Sequence, residues 1–167
     1  NDKNEFMNDP VRFLEKLFET GIDAALPKVC LPPYLPKQSK GRSIIIGAGK
    51  ASAAMAEVVE YYWSAPIHGL IVTRYGFRRP CKYVEVIEAS HPIPDQAGLL
   101  AANKMMGYLN SLTSDDLVLC LISGGGSALL TLPAGDIDLA DKQGVNEMLL
   151  KCGAPISEIN TVRKHLS

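Results

Sequence analysis

Apolar residues recur at three- to four-residue spacing after Asp9-Pro10. This spacing predicts an amphipathic first helix over residues 9–26, because it places the apolar side chains on one face. Asp followed by Pro is typical of a helix start. Residues 27–42 are rich in proline, and residues 31–42 carry three basic residues. They are therefore predicted to form a linker rather than a regular element.

Short apolar runs alternate with helical periodicity in the rest of the chain, which predicts a doubly wound α/β domain with a mainly parallel sheet. The run at 117–122 is apolar throughout, as is typical of a strand buried on both faces. A helix beginning at Asp138 or Asp141 and another beginning at Ser157 are expected near the end. The other predicted elements are strands at 43–46, 69–73 and 84–88 and helices at 51–63 and 96–112.

Composition restricts the class of protein. The 167 residues are 47% hydrophobic and 21% charged, which is enough apolar material for one globular domain. Seventeen basic and eighteen acidic residues leave a net charge of -1, which does not favour nucleic acid as a partner. With no secretory signal pattern and no apolar run long enough to span a membrane, we expect a cytoplasmic protein. The four separated cysteines are expected to be reduced thiols.

The first glycine-rich turn, Gly47-Ala48-Gly49-Lys50, connects a predicted strand to a predicted helix. Ile44 stands where a Walker A loop has its first glycine, and Ser52 stands where a dinucleotide fingerprint has its third. Neither motif is therefore complete. Lys50 is unfavourable near a helix N-terminus unless an anion compensates its charge. The turn therefore favours an anion site, with a solvent-facing lysine as the alternative.

A second glycine-rich stretch follows the apolar run at 117–122. Three consecutive glycines lose much backbone entropy on folding, which packing alone rarely requires. Such a loop suits a phosphate or carboxylate held by main-chain amides, with two hydroxyl groups as further ligands. A sharp turn that lets a helix pack closely on the sheet is the alternative. The stretch consists of Ser123, Gly124, Gly125, Gly126 and Ser127.

Two further stretches carry candidate residues. His91, in a proline-stiffened loop after the strand 84–88, could position a hydroxyl group or exchange a proton near neutral pH. Asp95 is as well explained as the N-cap of the next helix.

Asn160, Arg163 and Lys164 share one helix face. An amide and two cations on one face suit an anionic ligand. From these residues alone, however, a solvent-exposed cationic face is slightly favoured. The glycine turns and His91 follow strands, so they meet where open α/β sheets bind ligands.

The order of these stretches along the chain is more specific than any one of them. GAGKA, SHPIPD, SGGGSALL and INTVRKHLS follow one another, and this order resembles the N-terminal part of the glycerate 2-kinase family that carries a C-terminal MOFRL domain. Members of that family are also labelled hydroxypyruvate reductases. The resemblance implies that residues 1–167 form the N-terminal part of a Rossmann-like, three-layer α/β/α domain with an incomplete sheet. The MOFRL domain is then absent from this chain, which is expected to be a fragment.

The resemblance implies an ATP- and Mg²⁺-dependent kinase that phosphorylates the 2-hydroxyl group of D-glycerate. Lys50 resembles the family's catalytic lysine, which would neutralise charge on the transferred phosphoryl group. Residues 123–127 resemble its phosphate or substrate loop. His91 and Asp95 match its H-P-x-P-D stretch, and Asn160, Arg163 and Lys164 match its N-x-V-R-K helix. The partners implied are a short hydroxy acid and a nucleotide, with the metal ligands unknown and a homodimer left open.

The sequence is also compatible with two other functions. An NAD(P)H-dependent hydroxypyruvate reductase would need a nicotinamide site, and the chain lacks both the third fingerprint glycine and an acidic residue at the end of the second strand. Arg74, at that position, leaves NADP open. The other alternative is a sugar-acid binding module without catalysis. Phosphoryl transfer is favoured because it depends mainly on positioning and positive charge, which glycine loops and cations supply.

Overall fold

The computed structural model describes residues 9–64 and 66–167. Residues 1–8, which the predicted domain includes, and Ala65 lie outside the described residues. Contacts divide the chain into two compact units at Pro36 and Lys37. The first unit contains helix α1 (Pro10–Ala25), the one-turn helix α2 (Pro27–Cys30) and a 3₁₀ turn (Pro32–Tyr34).

Helix α1 begins as the sequence pattern indicates. The Asp9 side chain accepts a hydrogen bond of 3.0 Å from the Arg12 amide, and Pro10 occupies the first turn. The segment predicted as a linker begins instead with two helical turns. Pro27 and Pro32 stand at the first positions of these turns, where a missing N–H group costs little. Proline content alone does not distinguish this arrangement from an extended linker.

The second unit is an α/β structure, which confirms the predicted fold class. Its four strands form one parallel sheet in the order β3-β2-β1-β4. The strands are β1 (Ser43–Ala48), β2 (Ile67–Arg74), β3 (Val84–Ala89) and β4 (Leu117–Ile122). The helices are α3 (Ser52–Tyr62), α4 (Gln96–Tyr108), α5 (Gly126–Leu129), α6 (Leu139–Lys151) and α7 (Ile156–His165).

The core lies between the sheet and its covering helices. The connections β1-α3-β2 and β3-α4-β4 cross the sheet in opposite directions. Right-handed crossovers therefore place α3 and α4 on opposite faces. Alternation along β2 sends Leu70 and Val72 towards α4 and Ile71 to the other face. The cluster on the α4 side comprises the buried residues Ala48, Leu70, Val72, Ala89, Ala101, Met105 and Leu129.

The prediction that residues 117–122 are buried on both faces is wrong for the structure described. Only Leu121 of β4 is buried, while Cys120 is exposed and Ile122 has 54% of its surface exposed. The reason is topological, since β4 pairs only with β1 among the described strands and so lies at an edge of the sheet. Hydrophobicity of a run does not reveal where its strand lies in the sheet.

The helices after β4 begin at specific caps. Asp138 accepts a hydrogen bond of 2.7 Å from the Asp141 amide, and the Asp141 carboxylate accepts one from the Asp138 amide. This reciprocal capping box decides between the two predicted starts of α6 in favour of Asp138. Helix α7 begins at Ile156, after Pro155, one residue before the predicted start.

Candidate functional site

The glycines of the first turn allow close packing. A Cβ atom on Gly47 would collide with the carbonyl oxygen of Leu121, and one on Gly49 would collide with the hydroxyl group of Ser123. Gly49 also has φ +139°, a conformation that residues with a side chain rarely adopt. Neither glycine lines the main cavity described below. Their structural role is to let the turn after β1 approach the end of β4.

The amides of this first turn are already occupied by protein oxygens. Three consecutive residues, Gly49, Lys50 and Ala51, donate hydrogen bonds of 2.9–3.0 Å. The acceptors are the Val72 carbonyl, the Gly124 carbonyl and the Ser123 hydroxyl oxygen, in that order. The predicted anion cradle therefore has no free amide at these three positions. The first turn contributes the Lys50 side chain instead.

The second glycine loop, at residues 124–127, differs from the first turn because its main-chain amides are free. Among the residues that the structure describes, no protein oxygen accepts a hydrogen bond from the main-chain amides of residues 124–127. Gly125, at the centre of this loop, has φ +88° and ψ 1°, the left-handed conformation. Successive amides around such a residue form a concave anion-binding surface. The loop therefore has four main-chain donors without a protein acceptor, and its role as a phosphate or carboxylate cradle stays a prediction.

His91 and Lys50 both lie beside Gly125. A Cβ atom built on Gly125 would be 2.8 Å from Cδ2 of His91 and 3.6 Å from Cε of Lys50. Burial lowers the pKa of His91 below its ordinary 6.5, and the positive charges of Lys50, Arg74 and Arg163 lower it further. An imidazole in this setting is neutral at pH 7, so it can accept a proton or a hydrogen bond.

Helix α7 contributes the cations predicted for it. Arg163 is half-buried, and its Nε–H group donates to Oδ1 of Asn146. Its Nη2 atom is buried and has no hydrogen-bond partner among the described residues. Burial lowers the pKa of Arg163. A buried guanidinium nitrogen without a partner is energetically costly, and an anionic oxygen would remove that cost.

These groups surround a cavity of about 880 Å³, which lies in the usual range for small-molecule sites. No acidic side chain appears among its described lining residues. The polar lining residues are His91, Ser123, Gly125, Gly126, Ser127, Asn160, Arg163, Lys164 and Ser167, and the apolar ones are Ala48, Ile122, Leu130 and Ile156. With Lys50 beside Gly125, the cavity is positively charged and suits an anionic ligand.

Two further predicted site residues, Asp95 and Ser123, also have hydrogen-bond partners within the protein. Asp95 is the N-cap of α4, accepting hydrogen bonds of 3.0 Å from the Gly98 amide and 2.9 Å from the Tyr75 hydroxyl group. It does not line the cavity. Its carboxylate raises the pKa of Tyr75 through this hydrogen bond. The Ser123 hydroxyl group lies at the cavity but accepts from the Ala51 amide.

The structure adds two residues that the sequence analysis did not select. Asn146 and Lys142, one turn apart on α6, are each only 3% exposed. Asn146 connects Arg163 to the carbonyl oxygen of Pro92, at 3.3 Å. Lys142 donates to Leu166 O at 3.4 Å, and burial followed by the charge of Arg163 lowers its pKa. No pattern in the sequence distinguishes these two residues from the solvent-facing polar residues of the same helix.

Within residues 9–64 and 66–167, no three His, Cys, Asp or Glu side chains lie close enough together to hold a metal ion. None of the described helices combines the length and apolar character needed to cross a membrane.

Comparisons with known proteins place these features in a family context. Residues 13–167 match a family described as a domain of unknown function, DUF4147. A protein of Agrobacterium vitis, provisionally named hydroxypyruvate reductase, is 48% identical over 155 residues, which cover 92% of this chain and 35% of that protein. The glycerate 2-kinase of Pyrococcus horikoshii is 46% identical over 128 residues, covering 77% of this chain and 29% of that protein.

A solved structure shares the fold. The crystal structure of a glycerate kinase from Thermotoga maritima superimposes with a TM-score of 0.76 at 38% sequence identity, covering 91% of this chain and 37% of that one. The chain thus spans about a third of the length of the relatives that it matches.

Proposed function

Because the chain belongs to the DUF4147 family, in which similar proteins are named glycerate kinases, we propose that it is the N-terminal part of a glycerate kinase. In the finer form of the proposal, the complete protein transfers a phosphoryl group from ATP to the 2-hydroxyl group of D-glycerate. The observation that carries it is the loop of free amides at 124–127, which lies with Lys50 and Arg163 at a cavity that has no acidic side chain among its described lining residues.

The carboxylate of glycerate would bind the amides of residues 124–127 and the unpaired Nη2 atom of Arg163. A carboxylate there would pair with the buried Nη2 atom of Arg163 and with the main-chain amides of the loop, none of which has an acceptor among the described residues. Lys164 and Asn160, on the same helix, also line the cavity. This arrangement holds the substrate's 2-hydroxyl group near His91, which lies against Gly125.

Lys50 would stabilise the negative charge of the phosphoryl group during transfer. Its side chain forms no hydrogen bond or ion pair with a described residue, so its charge is available to a ligand. The bond between the 2-oxygen and phosphorus forms while the bond from phosphorus to the ADP oxygen breaks, and neutral His91 accepts the hydroxyl proton. Such transfers depend mainly on positioning and preorganised positive charge.

Mg²⁺ accompanies ATP in phosphoryl transfer, but the described residues do not fit a site for it. They contain no cluster of three potential ligands, and the acidic residue among the predicted site residues, Asp95, accepts hydrogen bonds from Gly98 and Tyr75. No step of the transfer is therefore assigned to the metal. The terminal phosphate of ATP would instead lie at Lys50, beside Gly125.

The reductase alternative is supported by the name of the Agrobacterium vitis relative. Against it, the Gly49, Lys50 and Ala51 amides that a pyrophosphate would need are occupied. Ser52, at the third fingerprint position, is buried and donates to Leu121 O at 2.8 Å. A dinucleotide would have to displace these contacts.

A phosphorus NMR time course on the complete protein, with D-glycerate, ATP and Mg²⁺, tests the proposal. A parallel reaction contains hydroxypyruvate with NADH or NADPH and is followed by absorbance. The proposal predicts a 2-phosphoglycerate signal that grows with ADP, and no nicotinamide oxidation. Nicotinamide oxidation without ADP formation would support the reductase. The absence of both reactions would support the binding module.

A further inference from the structure

Asn146 is a buried amide with two partners on different elements. Its Oδ1 atom accepts from Nε of Arg163 on α7, and its Nδ2 atom donates to Pro92 O in the loop that carries His91. Only one orientation of the amide satisfies both partners, because the first supplies a donor and the second an acceptor. The two contacts therefore fix the Asn146 side chain.

This arrangement also fixes the guanidinium of Arg163. An arginine side chain in solution samples many rotamers, and a bond to Nε determines the plane of its planar head. Because Nε donates to Asn146, the terminal nitrogens of Arg163 are available to another ligand. One of them, Nη2, is buried and has no partner among the described residues. The burial of Asn146, at 3% exposure, keeps water from competing for these bonds.

The neighbouring contact of α6 with the same loop offers a comparison. Gln143 donates to Pro94 O at 2.7 Å, two residues beyond the Asn146 contact. Gln143 therefore anchors the His91 loop, and it has no hydrogen bond to Arg163 among the described residues. Asn146 differs because it is hydrogen-bonded both to that loop and to Arg163.

We propose that Asn146 is a positioning residue that directs the Arg163 guanidinium at the anionic group of the substrate. The inference rests on the proposed function in that Arg163 binds this group. It adds that the binding strength depends on a residue that does not itself line the cavity. Removing Asn146 frees the Arg163 head to rotate, so anion affinity falls even though the cation remains.

A double-mutant cycle on the complete protein tests this inference, with binding of inorganic phosphate measured by calorimetry. Asn146→Ala should weaken binding about tenfold, as expected for a lost hydrogen bond to a charged group. The same substitution in an Arg163→Ala background should have no further effect, because the partner is gone. Gln143→Ala, the matched control, should change phosphate binding less than about twofold in either background.

Equal weakening by Asn146→Ala with and without Arg163, or no weakening at all, would overturn the inference. Asn146→Leu provides a second variant of nearly the same shape in case the alanine variant does not fold. It removes the acceptor for Arg163 without leaving a cavity, so phosphate binding should weaken about as much as in Asn146→Ala, and wild-type binding would overturn the inference.

Phosphate binding separates this inference from the proposed function. If the protein does not phosphorylate glycerate, the phosphate cycle still reports whether Asn146 acts through Arg163. If it does, the Michaelis constant for D-glycerate should rise about tenfold in Asn146→Ala, in parallel with the phosphate result. If the enzyme is active but the effects of Asn146→Ala and Arg163→Ala on phosphate binding are additive, the inference is wrong and the proposed function stands.

Discussion

The ring of His91 lies directly against the α-carbon of Gly125, so that a Cβ atom there would be 2.8 Å from Cδ2 and 2.9 Å from Nε2. These residues follow β3 and β4, which lie at opposite edges of the four-stranded sheet. The two loops thus meet above the carboxyl ends of the strands. Glycine at position 125 is what permits the histidine and the free amides to occupy one site.

We therefore predict that Gly125→Ala disrupts the site. The methyl group collides with His91, and φ +88° is unfavourable for alanine by about 1–2 kcal/mol. Thermal unfolding should show a loss of stability of at least about 1 kcal/mol, together with loss of activity.

Gly124→Ala is the matched control for this substitution. A Cβ atom at Gly124 has no neighbour within 4 Å, so stability should change by less than about 0.5 kcal/mol. Equal stability losses in the two variants would show that the contact between His91 and Gly125 is not the cause.

Lys50→Ala is expected to lower turnover about 10²-fold or more, because removing a preorganised charge from the transition state typically has this effect. Steady-state kinetics with D-glycerate and ATP measure it. Lys104→Ala, the control, removes a lysine that pairs with Glu85 at 2.6 Å on the surface, and its turnover should be unchanged. A loss below about tenfold for Lys50→Ala would argue against its role in transfer.

The pH behaviour of His91 provides a further prediction. Its pKa in the folded protein lies below 6.5, through burial and then the charges of Lys50, Arg74 and Arg163. The unfolded chain consequently binds this proton more readily, so protonation favours unfolding. The contribution to stability is fully present above pH 6.5 and is lost as pH falls through the lower, folded pKa.

NMR titration of the His91 ring should give a midpoint below 6.5, and Lys50→Ala should raise it by removing a positive charge. His91→Gln should be less sensitive to acid in thermal unfolding than the wild type. A midpoint at or above the ordinary value would mean that the ring is not surrounded by cations.

Thiol reactivity tests the packing on the α3 side of the second unit. Burial, followed by the charges of Glu60 and Glu57, raises the pKa of Cys81 to about 12, whereas Cys30 and Cys152 are exposed. The thiolate is the reactive form. Cys81 should therefore react with iodoacetamide at pH 8 at least about tenfold more slowly than these two, as measured by peptide mass spectrometry, and equal rates would refute its burial.

Much of the fold follows from local patterns. Alternating strand and helix periodicity predicts the parallel sheet, and the carboxyl ends of parallel strands necessarily share one edge. This relation brings Lys50, His91 and the 124–127 loop together. The start of α6 at Asp138 likewise depends only on residues close together in the sequence. The positions of the loops could be predicted because they depend on strand order and direction rather than on side-chain detail.

Other features depend on contacts between residues distant in sequence. The Ser123 hydroxyl group caps the turn before α3 because β4 pairs with β1. The Asn146 contact with Pro92 joins residues 54 positions apart. The exposure of Ile122 reflects its edge strand. None of these relations leaves a periodic or compositional signal, so they were accessible only in the folded structure.

The most direct test is a crystal structure of the complete protein with D-glycerate, Mg²⁺ and a nonhydrolysable ATP analogue. The account predicts the glycerate carboxylate within about 3 Å of amide nitrogens of the 124–127 loop and of Arg163 Nη2, with Lys50 at the terminal phosphate. A structure with both ligands bound away from this loop, and its amides facing only water, would contradict the account.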